Sequence, residues 1–559
     1  MAVDRHASGA NEIRGATHDV TNQPPALVDY NLYELDTPLG ECLAREDAGW
    51  AAQAVASFGA ALGDAETIEL GFQANRNEPQ LRTHDRFGNR IDEVEYHPAW
   101  HSVMRLAMQH ETHNLPWRNP TAGAHVARSA KLYMLAQIES GVCCPLTMTF
   151  ASVPALRQQP DVYARWEPLL LATDHDVRSR PAADKTSVLI GMAMTEKQGG
   201  SDVRTNTTRA RAVDGEGPGA AYELTGHKWF CSAPMCDAFL TLAHTDTGLS
   251  CFLVPRYWSD GGRNPFDIQR LKDKLGNRSN ASGEIEYRDT RAIMVGEDGR
   301  GIASILEMVH HTRLDCVSAS AGLMRQALLQ AVHHARHRSA FGKRLIEQPL
   351  MRNVLADLAL EVEAATALMG RLARAYDRAS NDAGERAFAR IATAVGKYWV
   401  CKRAPQTTYE AMECLGGNGY VEESVLPRIY REAPVNSIWE GSGNVMCLDV
   451  LRAVAREPET MPALLDEIRL GTGADPRLDR ALTQLEAAIA DPDAIETRAR
   501  RLVEMLAVAL QASLLVRSAP PEIADAFCAA RLAGDAGMTF GTLPATVGFA
   551  KLIDRALPA

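Results

Sequence analysis

The sequence predicts an α+β multidomain protein in which helical domains flank a small β-sheet domain. Three observations favour this fold class. Apolar residues recur at helical spacing up to about residue 171 and again from about residue 301. Between these regions, short β-rich runs alternate with Gly, Pro and Asp, a pattern typical of a small antiparallel sheet. The chain of 559 residues is also too long for one core, because domains commonly contain roughly 150 residues.

The N-terminal part is predicted to contain an arm and a helical domain. Residues 1–37 form the arm, which we expect to be partly disordered because its beginning is polar. Within it, Asn22-Gln-Pro-Pro-Ala cannot be helical, since proline forces extended backbone on the residue before it. Residues 38–186 are predicted to form an N-terminal helical domain, with a helical pattern from about residue 38 to residue 171 that includes the Ala-rich run 124–138.

The rest of the chain divides into three further predicted domains. Residues 187–298 form a middle antiparallel β domain, with runs such as 222–230 bounded by turn residues. Residues 299–455 contain three or four long helical stretches, which predict a four-helix bundle. Residues 456–559 follow a Pro-containing linker and are predicted to form an extra helical domain.

Charge and cysteine usage argue against several classes of protein. The formal net charge of −11 gives the chain no global attraction to nucleic acid or acidic lipid. The 11 cysteines include no Cys-x-x-Cys pair, so we expect no metal site and reduced thiols in the cytoplasm. The chain has neither an N-terminal signal region nor a run of about 18 apolar residues, so no membrane span is expected.

The first segment that suggests chemistry is Met194-Thr-Glu-Lys-Gln-Gly-Gly-Ser-Asp, at the end of a predicted strand. Its two adjacent glycines allow the backbone to approach a ligand closely. Turned backbone N–H groups, together with the Thr195 and Ser201 hydroxyls, could hold an anion or a heterocycle. An ordinary Gly-rich hairpin turn is the alternative interpretation.

The second segment is Ser437-Ile-Trp-Glu-Gly-Ser-Gly-Asn. Here the Glu440 carboxylate lies between the indole of Trp439 and a glycine turn. An apolar neighbour raises the pKa of a carboxyl group, and a carboxylate with a raised pKa can act as a base towards a weakly acidic C–H. A helix-capping glutamate is the alternative interpretation.

The chain resembles the acyl-CoA dehydrogenase family through five motifs that occur in the family's order. They are Met194-Thr-Glu-x-x-x-Gly-Ser-Asp, Gly226-His-Lys-Trp-Phe, Arg338-Ser-Ala-Phe-Gly-Lys, Leu415-Gly-Gly-Asn-Gly-Tyr and Trp439-Glu-Gly-Ser. The resemblance implies the acyl-CoA dehydrogenase fold, with an N-terminal helical domain, a middle β domain and a four-helix bundle. It also implies a homotetramer with FAD bound between subunits.

The resemblance further implies roles for individual residues. Glu440 would be the catalytic base that removes the α proton of an acyl-CoA. Some members carry their base at the position of Thr312, where threonine cannot serve. Many members have Trp-x-Thr where this chain has Trp229-Phe-Cys-Ser, so the hydroxyl is displaced by one residue. The residues implied to contact FAD are Met194, Thr195, Ser201, Phe230, Cys231, Ser232, Arg338, Phe341, Gly416, Gly417, Trp439, Gly441, Ser442 and Asn444.

Longer segments, including Pro434-Val-Asn-Ser-Ile-Trp-Glu-Gly-Ser-Gly-Asn-Val-Met, resemble the AidB-like branch of alkylation-response flavoproteins. That branch implies binding of double-stranded DNA by the C-terminal domain and protection against alkylation. The candidate cations are Arg498, Arg500 and Arg501, although the domain has 11 Lys and Arg against 15 Asp and Glu. An ordinary acyl-CoA dehydrogenase without a nucleic-acid role and a flavin-binding scaffold without catalysis are the alternatives.

Overall fold

An extended arm precedes the first helix in the computed structural model, which describes residues 17–558. Residues 1–16 of the predicted arm lie outside this range. Asn22 attaches the arm to the bundle: its side-chain Oδ1 accepts from the Ser339 amide at 2.7 Å, and its Nδ2 donates to the Ser339 carbonyl at 2.8 Å. The arm is therefore anchored by hydrogen bonds rather than by a helix.

Helices make up most of the N-terminal domain. They are α1 (Thr37–Arg45), α2 (Ala52–Gly63), α3 (Ala65–Arg76), α4 (Pro98–Gln109), α5 (Leu115–Arg118), α6 (Ala124–Ile138), α7 (Cys143–Leu156) and α8 (Pro160–Leu170). Side-chain caps define several starts: Asp36 accepts from the Leu39 amide at the start of α1. α6 is buried along its whole length, which explains its Ala-rich composition.

A β-hairpin interrupts the helices of this domain, in a stretch where the sequence pattern indicated only helix. Strands β1 (Gln80–His84) and β2 (Arg90–Glu95) pair antiparallel around a turn at Gly88, whose φ is +86°. The Asp85 carboxylate stabilises the turn by accepting from the amides of Phe87 and Asn89. Alternating residues on both sides of this Asp-Arg-Phe-Gly-Asn turn carried the hairpin signal in the sequence.

The middle domain is one seven-stranded sheet. Its strands are β3 (Ile190–Ala193), β4 (Arg209–Asp214), β5 (Ala221–Ser232), β6 (Ala238–His244), β7 (Leu249–Pro255), β8 (Phe266–Leu271) and β9 (Ser282–Val295). The spatial order is β3-β5-β4-β6-β7-β9-β8. Most neighbours are antiparallel as predicted, but β3 runs parallel to β6, with Ile190 opposite Ala238.

Three long helices form the body of the bundle. They are α9 (Gly301–His337), α10 (Pro349–Arg378) and α11 (Ala383–Cys414), and they pack on one another. A two-residue-per-strand hairpin, β10 (Ser339–Ala340) and β11 (Lys343–Arg344), joins α9 to α10. The shorter helices α12 (Gly417–Tyr420), α13 (Leu426–Glu432) and α14 (Gly443–Arg456) complete this region, with α14 lying along α11.

Further helices follow the bundle, and the predicted α+β multidomain fold with an extra C-terminal helical region is confirmed. These helices are α15 (Thr460–Arg469), α16 (Pro476–Ala490), α17 (Ile495–Ser518), α18 (Pro521–Phe527) and α19 (Phe549–Ala556), with a π-helical turn at Cys528–Leu532. α17 packs against α10, α11 and α14, so this region is continuous with the bundle. Among residues 17–558, no helix is both long enough and apolar enough to cross a membrane.

Candidate active site

The Glu440 loop lies between a 3₁₀ segment at Ala433–Ser437 and the start of α14. Glu440 has a φ of +57° and Gly441 a φ of +110°, so two consecutive residues adopt left-handed conformations. A β-carbon at position 441 would approach Met446 Cε to 2.4 Å, which explains why glycine follows the glutamate. Such strained backbone persists only where surrounding contacts impose it.

Two buried cations supply those contacts. Lys397 of α11, which is 1% exposed, donates to the Trp439 carbonyl at 2.8 Å and also to the Gly441 carbonyl. Arg313 of α9 donates from Nε to the Glu440 carbonyl at 3.0 Å and is itself paired with Asp449 at 2.7 Å. Three successive carbonyls are therefore held by positive charges from two bundle helices, which fixes the direction of the Glu440 side chain.

The Glu440 carboxylate contacts Thr312, where the resemblance described above places the base of some family members. Its Oε2 accepts from the Thr312 hydroxyl at 2.7 Å. Burial raises the pKa of Glu440 above its ordinary value, while the Thr312 hydrogen bond and the charges of Arg313 and Lys397 act in the opposite direction. The two possible base positions thus share one site, and only position 440 holds a carboxylate.

A small cavity of about 60 Å³ lies beside Glu440. Its wall combines polar groups with apolar side chains, among them Met148, Met192 and Trp439. The polar residues come from α7, β5, α9 and the segment 432–440, and they include Cys143, Cys144, Thr147, Ser232, Thr312, Asp315, Cys316, Asn436 and Glu440. Asp315 is held on the wall by Thr147 at 2.7 Å and by the fully buried Arg128.

A much larger groove, of about 1440 Å³, opens on the opposite side of α9. Arg313 and His310 line its inner part, next to the residues that hold the Glu440 loop. Its outer part is lined by Ser201 and Arg204 of the middle domain and by Arg452 of α14. The groove therefore connects the surface of two domains with the neighbourhood of Glu440.

The loop after β3 is organised by a buried ion pair that the sequence analysis did not identify. The Glu196 carboxylate accepts from Lys228 Nζ at 2.8 Å, and both side chains are inaccessible to solvent. Thr208 donates to the same carboxylate at 2.6 Å. Burial acts to raise the pKa of Glu196, but Lys228 and the surrounding donors outweigh it and lower that pKa. Glu196 belongs to the motif that begins at Met194 and Lys228 to the motif that begins at Gly226, and the fold brings the two motifs into contact.

The predicted cradle is tied to the neighbouring strand and folds back on itself. The Thr195 carbonyl accepts from the Trp229 amide at 2.7 Å, which ties the loop to β5. A β-carbon at Gly200 would lie 2.5 Å from Thr195 Oγ1, so glycine allows the loop to fold back over the threonine. Met194 and Thr195 are partly buried, whereas Ser201 is exposed at the rim.

The end of β5 presents its side chains on two faces. Phe230 is 46% exposed and Ser232 reaches the small cavity, whereas Cys231 is 0% exposed in the sheet interior. A contact between Cys231 and the flavin, as the sequence predicts, would therefore be made by its backbone. Ser232, one position later than the family hydroxyl, is the polar side chain that faces the cavity.

A second cluster of predicted cofactor residues lies at the other end of the bundle. Phe341 is 100% exposed at the tip of the β10–β11 hairpin. No atom lies within 4 Å of a β-carbon built at Gly416 or Gly417. Arg338 follows α9 and is 26 positions beyond Thr312. At about 1.5 Å per helical residue the two are separated by about 39 Å, so Arg338 cannot reach a ligand at Glu440 of its own chain.

The predicted arginine cluster does not form one free basic face. Arg498 donates back to the carbonyls of Asp491 and Asp493 and pairs with the Asp491 carboxylate at 3.1 Å. Arg500 donates from Nε to Asn444 Oδ1 at 2.8 Å, beside the Glu440 loop. Arg501 is exposed. Two of the three guanidinium groups therefore have protein partners.

Three family models match the chain, and together they cover most of it. The model described as the adaptive response protein AidB N-terminal domain matches residues 22–177. The acyl-CoA dehydrogenase middle domain matches residues 191–290, and the C-terminal domain of the same family matches residues 299–455. The AidB protein of Escherichia coli K12 is 48% identical over 92% of this chain and 94% of its own length. The chain is an AidB-like member of the acyl-CoA dehydrogenase family.

Solved structures agree with this assignment of the fold. ACDH-11 of Caenorhabditis elegans in complex with C11-CoA has a TM-score of 0.83 at 27% identity and covers 93% of this chain and 94% of its own. An acyl-CoA dehydrogenase from Bacillus anthracis complexed with FAD has a TM-score of 0.62 at 17% identity, covering 78% of this chain and 81% of its own. The predicted acyl-CoA dehydrogenase fold is confirmed.

Membership of this family also fixes the cofactor and the general class of enzyme. The chain is an oxidoreductase of the kind that acts on CH–CH groups, and its cofactor is FAD, as predicted. Among residues 17–558 no cluster of three His, Cys, Asp or Glu side chains is arranged to hold a metal ion.

Proposed function

We propose that this protein dehydrogenates acyl-CoA thioesters, with Glu440 as the base. The observation that carries the proposal is the left-handed Glu440 loop, which Lys397 and Arg313 hold so that a buried carboxylate faces a cavity. Bound FAD supplies the hydride acceptor of the reaction. Glu440 takes the proton from the carbon α to the thioester carbonyl, and its raised pKa makes the carboxylate a stronger base.

Several features of the chain support the proposed FAD contacts. Ser232 at the end of β5 lines the small cavity beside Glu440, and the Thr195 loop is joined to the same strand by the hydrogen bond from the Trp229 amide. Ser442 begins α14 without a side-chain cap, so the first N–H groups of this helix remain available to an anionic or polar group. The open space at Gly416 and Gly417 leaves room for a flat ligand against the backbone.

The second cluster supports a shared site. Phe341 is a fully exposed aromatic side chain at a hairpin tip, and Arg338 is too far from Glu440 of the same chain to meet one cofactor. We therefore infer that Arg338, Phe341, Gly416 and Gly417 contact the FAD of a neighbouring subunit and that the active protein is a homotetramer. A guanidinium group suits a pyrophosphate because it donates two parallel hydrogen bonds.

The small cavity suggests how the acyl group of the substrate would lie. A cavity of about 60 Å³ accepts roughly four to six water-sized groups, if each needs about 10–15 Å³. We infer a short acyl group next to Glu440, in contact with both polar groups and apolar side chains such as Met148 and Met192. ACDH-11, crystallised with C11-CoA, supports the substrate class but not the chain length.

The test is reduction of the flavin by acyl-CoA under anaerobic conditions. We expect Glu440→Gln to retain FAD and to lose bleaching of the flavin band with every acyl-CoA that reduces the wild type, because a carboxamide cannot take the proton. Thr312→Ser is a matched control, since it keeps the hydroxyl beside position 440. Equal reduction rates in Glu440→Gln and the wild type would show that the base lies elsewhere.

Double-stranded DNA binding and limitation of alkylation damage form a second proposal for this protein. The match to a domain described as that of an adaptive response protein supports it. The acidic balance of residues 456–559 and the partners of Arg498 and Arg500 argue for a weaker, sequence-independent interaction. Arg501→Ala should then lower duplex affinity and reduce the salt slope by about 0.9. Absence of duplex binding at low salt would leave an ordinary acyl-CoA dehydrogenase.

The cysteines support a reducing compartment for the protein. All 11 are unpaired and buried, as expected for the bacterial or eukaryotic cytoplasm. Mass spectrometry of the natural protein after rapid alkylation should recover every thiol in reduced form.

A further inference from the structure

We propose that Arg500, a residue of the extra C-terminal region, is a positioning residue of the FAD site. This inference rests on the proposed contact between Asn444 and FAD. Arg500 lies on α17 and Asn444 is the second residue of α14, and the two helices pack against each other. Their side chains are joined by the 2.8 Å hydrogen bond from Arg500 Nε to Asn444 Oδ1.

The contact determines how the Asn444 amide is oriented. A guanidinium group has donors and no acceptor, so Asn444 must turn its oxygen towards Arg500. Its Nδ2 group then points away from Arg500 as a free donor. Without the arginine, the amide could rotate and offer either atom to a ligand. Arg500 therefore selects the donor face of Asn444 four residues after the proposed base, Glu440.

Positive charge at the first turn of α14 favours an anionic or electron-rich ligand there. The two Nη groups of Arg500 have no hydrogen-bond partner among the described residues. At the same turn, Lys402 Nζ would lie 3.3 Å from a β-carbon at Gly443. Two cations from different helices thus lie at the first turn of α14, where the helix dipole adds partial positive charge.

The position of Arg500 gives the extra region a role in the active site. Residues 506–515 of α17 are buried on all sides, which fixes the helix against the bundle and sets the distance from Arg500 to Asn444. Arg500 and Arg501 are both exposed, but successive helical residues project about 100° apart. The two therefore form a matched pair: they have the same chemistry and local helix, but only Arg500 contacts Asn444 at the start of α14.

The experiment compares Arg500→Ala, Arg501→Ala, Asn444→Ala and the Arg500→Ala/Asn444→Ala double variant in the full-length protein. FAD affinity is measured by fluorescence titration, and flavin occupancy by the visible absorbance of the purified protein. Removing a hydrogen bond to a charged group should raise the Kd for FAD about tenfold in Arg500→Ala. Arg501→Ala should stay within about twofold of the wild type because it removes no such contact. The double variant should bind no more weakly than the worse single variant, because both changes remove the same interaction.

The unfolding midpoint of each FAD-free protein separates positioning from folding, and we expect Arg500→Ala and Arg501→Ala to share that midpoint. Equal FAD affinity in these two variants would overturn the inference while leaving the FAD site intact. Additive losses in the double variant would also overturn it. Loss of duplex DNA binding in Arg500→Ala without a change in FAD affinity would assign the cation to DNA instead. A wild-type protein that binds no FAD would refute the proposed function itself.

Discussion

The hydrogen bond between Thr312 and Glu440 controls the basicity of the proposed catalytic carboxylate, and Thr312→Val removes it. Valine keeps the branched shape but has no hydroxyl. The bond stabilises the charged form of Glu440, so its loss should raise the pKa of that carboxyl group further above its ordinary value.

The structure sets the size of this effect. The Thr312 hydroxyl has one proton and two acceptors, Val309 O at 2.9 Å and Glu440 Oε2 at 2.7 Å. A hydrogen bond to a charged group contributes about 1.5–3 kcal/mol, and sharing of the proton favours the lower end. At about 1.4 kcal/mol per pH unit, the pKa of Glu440 should rise by roughly one unit.

The assay is the pH dependence of flavin reduction, followed as loss of the flavin absorbance after anaerobic mixing with an acyl-CoA. A base must be ionised, so the rate falls as pH drops through the pKa of Glu440. In Thr312→Val this acidic limb should move to higher pH by about one unit, whereas Thr312→Ser should leave it in place. An acidic limb that does not move, or that moves to lower pH, would refute the assignment of Thr312 and Glu440 as a coupled pair.

Three further predictions concern stability and assembly. Burial raises the pKa of Asp377 from 3.8 to about 7, so the fold favours the protonated carboxyl group, and the resulting stabilisation is lost as pH rises through about 7. Asp377→Asn should therefore raise the Tm measured by scanning fluorimetry at pH 8 but not at pH 4, relative to the wild type. Equal Tm shifts at the two pH values would contradict this. Lys397→Met should lower the free energy of urea unfolding by about 2 kcal/mol, because two carbonyls of the Glu440 loop lose their donor. An unchanged unfolding midpoint would show that the loop does not need this anchor. Phe341→Ala removes an exposed aromatic side chain, so it should lower flavin occupancy and the fraction of tetramer seen by light scattering. The unfolding midpoint of the FAD-free chain should not change. Full flavin occupancy in the variant would argue against an intersubunit site.

Local sequence was enough to predict most of the architecture. The long helices α9, α10 and α11 follow from apolar periodicity, because burial of one helix face requires it. The hairpin β1–β2 was missed because two short strands within a helical region give a weak signal, although its turn residues were visible. The parallel pairing of β3 with β6 was missed because largely apolar runs, though typical of parallel strands, occur in any strand that is buried on both faces.

The sequence by itself determined the family and cofactor of this protein, the α+β architecture and Glu440 as the only carboxylate at the candidate base positions, since short motifs carry that information residue by residue. Only the tertiary structure decided which charges support the site. Lys397 and Arg313 are distant from Glu440 in the chain, and nothing in their local sequence marks them as anchors of its loop. Glu196 and Lys228 became one buried pair, and Arg500 was joined to Asn444 instead of to a basic surface. The physical reason is that hydrogen bonds and ion pairs act over a few ångströms in space, and the packing of helices and strands determines which residues come that close.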